Sequence, residues 1–223
     1  SQAQTRQADT VIVAERYFDS KSGKMIANPT VLVRNQRIVS VQSGGAIPAA
    51  AKVIRLDGMT LLPGLIDMHT HIDSDPIYGG YNSLQFTDRF WSVIAVPNAL
   101  KTLQSGFTTI RNVGSDAWND VGLNQAIEQG QIPGPRIVPA GYAFGATGGH
   151  CDSTFFPPSM NQKSPYNADS ADAARKSVRE IRKYGAQVIK ICATGGVFSR
   201  NTEPGQQQLS YTDMKAIADD AHM

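Results

Sequence analysis

Residues 64–73 read GLIDMHTHID, which places two histidines one residue apart at the end of an apolar run. Leu61, Leu62, Leu65 and Ile66 form that run, broken by Pro63 and Gly64. It is too brief for a buried helix and has the texture of a strand covered on both faces. Alternate residues of a strand point the same way, so His69 and His71 share one face while Met68 and Thr70 take the other. Two imidazoles held side by side without a metal would each need a separate hydrogen-bond partner and would resist being charged together. A divalent cation resolves both problems, and His69 and His71 are therefore expected to bind metal.

Upstream of this stretch the pattern is β-rich and short-period. TVIVAERYFD, PTVLVRNQRIVSVQSG and AKVIRLDG are β-branched segments separated by Asn, Gly and Pro turns. They predict a small β-sandwich or open sheet as an accessory domain over residues 1–60. Downstream, over residues 61–223, strand and helix alternate. A helix runs from near Phe90 to Gln104, started or kinked at Pro97 and ended by Gly106; FTTIRNVG (107–114) is the second strand. A second helix covers Val121 to Gln129, and PRIVPAGY (135–142) is the third strand. Asp169 and Ser170 cap the next helix, whose apolar positions Ala171, Ala174, Val178 and Ile181 recur at helical spacing before Gly185. AQVIKICATGG is the fourth strand, and a last helix begins near Tyr211.

Repeated strand–helix units with crossovers of this length give a parallel sheet, either doubly wound or closed into a barrel. His69, His71, Arg111, His150 and Lys190 all fall at the carboxy ends of strands or in the loops beyond them, where barrel enzymes gather their chemistry. Neither a dinucleotide nor a phosphate-loop fingerprint occurs. The fold expected is thus α/β, the first half of a (β/α)8 TIM barrel preceded by the small β-domain.

Composition narrows the partners. The formal charge of +2 arises from 21 basic and 19 acidic residues without a basic run, so neither nucleic acid nor a membrane surface is expected, and a small molecule is. Cys151 and Cys192 are too few for a disulfide framework, match no zinc knuckle or redox pair, and are expected to stay reduced and buried. SQAQTRQADT lacks the apolar core of a signal peptide but suits the polar start of an exported protein after signal removal; a periplasmic or secreted location is preferred to a cytoplasmic one.

Lys190 interrupts an otherwise apolar strand, where an ammonium ion is costly unless paired. It is either a salt-bridged or snorkelling lysine or a reactive one, since a desolvated amine with a lowered pKa can add carbon dioxide. The resulting carbamate is a bidentate anion able to bridge two cations. With this residue in place, PGLIDMHTHI, GFTTIRNVG, ATGGHCD and IKICATGGV resemble, in order and spacing, the amidohydrolase superfamily. The resemblance is to its branch of metal-dependent dipeptidases and carboxypeptidases related to prolidases, which includes ochratoxin-hydrolysing amidohydrolases.

That resemblance implies a binuclear centre of two divalent ions, with zinc suited to mixed imidazole and carboxylate ligands. His69 and His71 would bind the more buried ion and carboxylated Lys190 would bridge it to the second. It also implies two further histidines and an aspartate base from strands five, six and eight, which these residues do not include; His222 lies in the last helix and does not replace them. The activity implied is hydrolysis of dipeptides, N-acyl amino acids or ochratoxin-like amides. The rivals are a cyclic-amide hydrolase or deaminase of the same superfamily, and a non-catalytic half-barrel that acts only by docking. Lys190 argues against the single-metal deaminases. His150, in the glycine-rich loop after strand three, is a candidate contact for a substrate carboxylate. Arg111 is expected to pair with a scaffold carboxylate. A carboxy-terminal segment is expected to complete the barrel, and an open sheet edge favours association, so a homo-oligomer is expected.

Overall fold

The computed structural model describes residues 9–223, and contacts divide the chain between Gly64 and Leu65. The first unit is one hydrogen-bonded sheet of five strands: β1 (Thr10–Asp19), β2 (Lys24–Ala27), β3 (Pro29–Arg34), β4 (Arg37–Ser43) and β5 (Lys52–Leu61). β1 is its centre, antiparallel to β2 and β3 on one side and parallel to β5 on the other, with a register shift between Ala14 and Arg16. Asn35 and Gln36, both at positive φ, close the β3–β4 hairpin in the mirror-image turn that suits strand twist. Leu61 ends β5 and does not join the histidine strand.

The second unit begins with that strand, β6 (Leu65–Thr70), followed by α1 (Phe90–Gln104), β7 (Phe107–Asn112), α2 (Asn119–Glu128) and β8 (Arg136–Pro139). β6, β7 and β8 are parallel and adjacent in that order. α1 carries Pro97 inside it. Ile72, Ala95, Ala99, Ile110, Leu123 and Ile137 pack together, so helices and strands share one apolar core. After β8 the chain bends and resumes as β9 (Phe144–Gly145), which pairs in parallel with β10 (Ile191–Cys192). α3 (Ala171–Lys183) connects them, and α4 (Tyr211–Ala221) follows.

Ser170 caps α3 by accepting from the Ala173 amide, and Ser210 with Asp213 forms a capping box on α4. Val178 and Ile181 of α3 and Ile217 of α4 pack against Phe144 and Leu209 in a second core. The fourth strand is much shorter than the apolar run AQVIKICATGG suggests. The break between β8 and β9 leaves it only a two-residue ladder, extended by Pro139 O accepting from Gln187 and Val188 and Lys190 O accepting from Phe144. On β6, Leu65, Ile66 and Met68 are all exposed.

Candidate metal and substrate site

β6 delivers the two histidines to one place. His69 stands near its end, His71 directly follows it, and their ring centroids are 5.5 Å apart. The Nδ1 atom of His71 lies 3.1 Å from the Gly114 carbonyl. A carbonyl only accepts, so Nδ1 carries the proton and Nε2 keeps a free lone pair, the arrangement of a metal-ligating imidazole with its outer hydrogen bond. Gly114 has φ +139°, and a Cβ there would come 3.3 Å from the ring, so the approach requires glycine.

Behind this contact sits a buried polar hub that the sequence did not reveal. Asn112, at the end of β7, donates to the Gly114 carbonyl at 3.2 Å and accepts from the Ile72 amide at 2.7 Å and the Thr70 hydroxyl at 3.3 Å. It also donates to Asp120 Oδ2 at 3.2 Å. The same Asp120 oxygen accepts from the Ala140 and Gly141 amides, each at 3.0 Å, and its Oδ1 from Val121 at 2.8 Å. Both side chains are fully buried. One amide–carboxylate pair thus ties the ends of β6, β7 and β8 to the start of α2, and any break in it would strand desolvated groups. Nearby, buried Asp73 accepts from Ser115 Oγ at 2.7 Å and Asn119 Nδ2 at 3.1 Å, and burial pushes its carboxyl up to about 6.

Lys190 lies just before β10 and is half-buried. Burial lowers its pKa from the ordinary lysine value, and the Arg111 charge adds to this. His69 is lowered in turn by partial desolvation and then by the charges of Lys190, His71 and Arg111. Arg111 thus bears on both Lys190 and His69, and Lys190 on His69. Arg111 makes no ion pair among the described residues; its Nε donates to the Met68 carbonyl at 2.8 Å. Among the described residues no group of three or more His, Cys, Asp or Glu side chains converges. The site therefore presents two imidazoles and a lysine of lowered pKa, fewer than the four ligands of a closed zinc site.

The expectation of two separate reduced thiols fails. Cys151 and Cys192 form a disulfide, with their Cα atoms 5.7 Å apart. The loop after β9 folds back over the β9–β10 pair and carries Cys151 to Cys192, a long-range approach that spacing in sequence does not encode. The bond joins the neighbour of His150 to the strand that directly follows Lys190. His150 itself is half-buried in a turn; its amide donates to Gln208 Oε1 at 2.9 Å, and its Nδ1 lies 3.1 Å from Ser199 Oγ. His71, Asp73, Tyr142, His150, Cys151 and Lys163 contribute to the wall of one cavity of about 590 Å³. Arg200 lies over the rings of Tyr81 at 5.5 Å and Phe155 at 5.9 Å, joining the loops after β6, β9 and β10.

The model of the amidohydrolase family matches residues 60–223. Ochratoxinase from Aspergillus niger is 30% identical over 241 aligned residues, covering 98% of this chain and 49% of its own. An Xaa-Pro dipeptidase solved with methionine in its active site superposes with a TM-score of 0.86 at 28% identity, and covers 96% of this chain and 54% of its own. A prolidase solved with N-methylphosphonate-L-proline gives 0.82 at 30% identity, over 96% and 54% of the two chains. The chain spans about half the length of the curated relatives it matches.

Proposed function

Since this chain belongs to the amidohydrolase family, we propose that it forms part of a metal-dependent hydrolase of amide bonds in dipeptides or N-acyl amino acids. The observation that carries the proposal is the His69–His71 pair, with Nδ1 of His71 held on the Gly114 carbonyl and its Nε2 left free. In this reading His69 and His71 would hold divalent metal, zinc by ligand chemistry, and Lys190, carboxylated on Nζ, would add an anionic oxygen ligand to a centre of two ions. The metals, when bound, lower the pKa of a water and polarise the scissile carbonyl.

The residues of the chain do the rest. Asn112 of the hub holds the Ile72 amide and the Thr70 hydroxyl on either side of His71 and the Gly114 carbonyl that its imidazole meets, which positions the ring for a ligand. The lowered pKa of Lys190 keeps a larger share of its amine neutral and able to take up carbon dioxide. His150, on the wall shared with His71, meets the carboxylate of the substrate. A carboxy-terminal segment supplies the remaining ligands and the base; the exposed apolar side chains of Leu65, Ile66 and Met68 and the half-length match support this. The Cys151–Cys192 disulfide favours an oxidising compartment, periplasmic or extracellular.

Elemental analysis of the intact enzyme should find two divalent ions per site, and Lys190→Ala should lose one of them together with more than about a hundredfold in turnover, beyond the range of an outer-shell change. A metal-free protein with full amidase activity would sink the proposal. Full turnover and metal content in Lys190→Ala would remove the carbamate from it.

A further inference from the structure

The loop after β10 makes a contact that the proposed chemistry does not use. Ser199 Oγ lies 3.1 Å from His150 Nδ1, 3.0 Å from the Gly196 carbonyl and within hydrogen-bond reach of Thr202 Oγ1. Thr202 Oγ1 in turn lies 3.3 Å from the Gly196 carbonyl and accepts from the Gly196 amide at 3.3 Å. Gly196 itself is the floor under the imidazole, because a Cβ there would come 2.3 Å from two of its ring atoms.

Counting hydrogens decides which way this cluster is wired. With a proton on Nδ1, three hydrogens serve three contacts: Nδ1–H to Ser199, Thr202 O–H to Ser199, and Ser199 O–H to the Gly196 carbonyl. With Nδ1 bare, Ser199 must turn its hydrogen to the ring, and only the Thr202 hydrogen remains for the other contacts. The first arrangement makes one more hydrogen bond. In a half-buried cluster that difference selects the tautomer.

The consequence falls on the other nitrogen. Nε2 of His150 has no hydrogen-bond partner among the described residues, and none of their buried polar side-chain atoms lacks one, so Nε2 is open to solvent. The ring belongs to the cavity wall that also carries His71. We propose that Ser199 is a positioning residue of this site: its hydroxyl takes the Nδ1 hydrogen of His150, so that the ring meets the substrate carboxylate through Nε2 alone. With hydrogens on both nitrogens the ring donates to that carboxylate through Nε2, while the Nδ1 hydrogen stays on Ser199. This deepens the proposed function and rests on its reading of His150 as the substrate contact.

The test uses the metal-loaded intact enzyme and a dipeptide with proline at its free carboxy end. Nitrogen-15 spectra of the neutral His150 ring should show the proton on Nδ1 in the parent and lose that preference in Ser199→Ala. KM for the dipeptide should rise about five- to tenfold in Ser199→Ala with kcat unchanged, the worth of one hydrogen bond. KM for the same dipeptide with its carboxylate amidated should not move, and Ser199→Thr, which keeps the hydroxyl, should restore the parent KM. A parent ring protonated on Nε2 overturns the assignment whatever the metals do. So does a Ser199→Ala enzyme with the parent KM. An enzyme that holds no metal counts against the proposed function instead, and the tautomer still decides the role of Ser199.

Discussion

The two sides of the site are held by different means. On the histidine side, β6 and β7 run side by side and a fully buried asparagine and aspartate tie their ends to β8 and α2. On the lysine side, β9 and β10 share two residues of ladder, and a disulfide together with the apolar core around Phe144 supplies the rest. The first side is fixed by a closed polar network in which every member depends on the others; the second is fixed by one covalent bond and by the apolar core that Phe144 shares with α3 and α4. Damage to the first should therefore spread through the unit, whereas damage to the second should stay local.

The largest break is expected at the hub. Asp120→Ala strands the Ala140, Gly141 and Val121 amides and one hydrogen of Asn112 in the core, and should destabilise the protein by about 4 kcal/mol in urea melts. Removing the cross-link should cost somewhat less. The joint Cys151→Ser and Cys192→Ser change opens a span of 41 residues and should lower stability by about 3 kcal/mol, with β6–β8 amides still protected from hydrogen exchange. If those amides lose protection together with β10, the two sides are one cooperative unit and the contrast fails.

Gly114→Ala sharpens the comparison at the histidine itself. The φ of +139° and the 3.3 Å approach to the ring are both unsuited to a side chain. The expected cost is about 2 kcal/mol of stability and about tenfold to a hundredfold in metal affinity, read by competition with a chromophoric chelator. The smallest effect lies in the loop of the lysine side. Burial raises the Asp152 carboxyl, but the amides of Gly148, Ser164 and Ser153 outweigh it and hold the pKa below the ordinary carboxylate value. A depressed pKa gives stability that is present above the ordinary value and lost as pH falls through the folded one. Asp152→Asn should thus cost about 1 kcal/mol at neutral pH, and the gap between parent and variant should close in acid; a gap that stays constant down to pH 3 or so would refute the sign.

What could be read from sequence was whatever depends on near neighbours. Strand parity placed His69 with His71, and caps with helical spacing placed α3. The residues that escaped are defined by partners far along the chain. Asn112 finds Ile72 forty residues away and Ser199 finds His150 forty-nine away, so neither differs locally from an ordinary polar residue. The disulfide escaped for the same reason. The fourth strand was overestimated because an apolar run reports burial, whereas a ladder needs a partner strand of equal length, and β9 offers two residues. The accessory β-strands were legible as strands, but whether they stack in two layers depends on side-chain contacts that alternation alone does not define.

The cross-link also bears on how the protein is made and kept. Cys151 and Cys192 are the two cysteines of these 223 residues, and they pair with each other. Material folded in a reducing cytosol, or stored with dithiothreitol, carries two thiols instead, one of them two residues from Lys190 and the other beside His150. Thiolates are zinc ligands in their own right. Such a preparation would hold metal in places the oxidised protein does not offer, and its zinc content would measure the buffer as much as the enzyme.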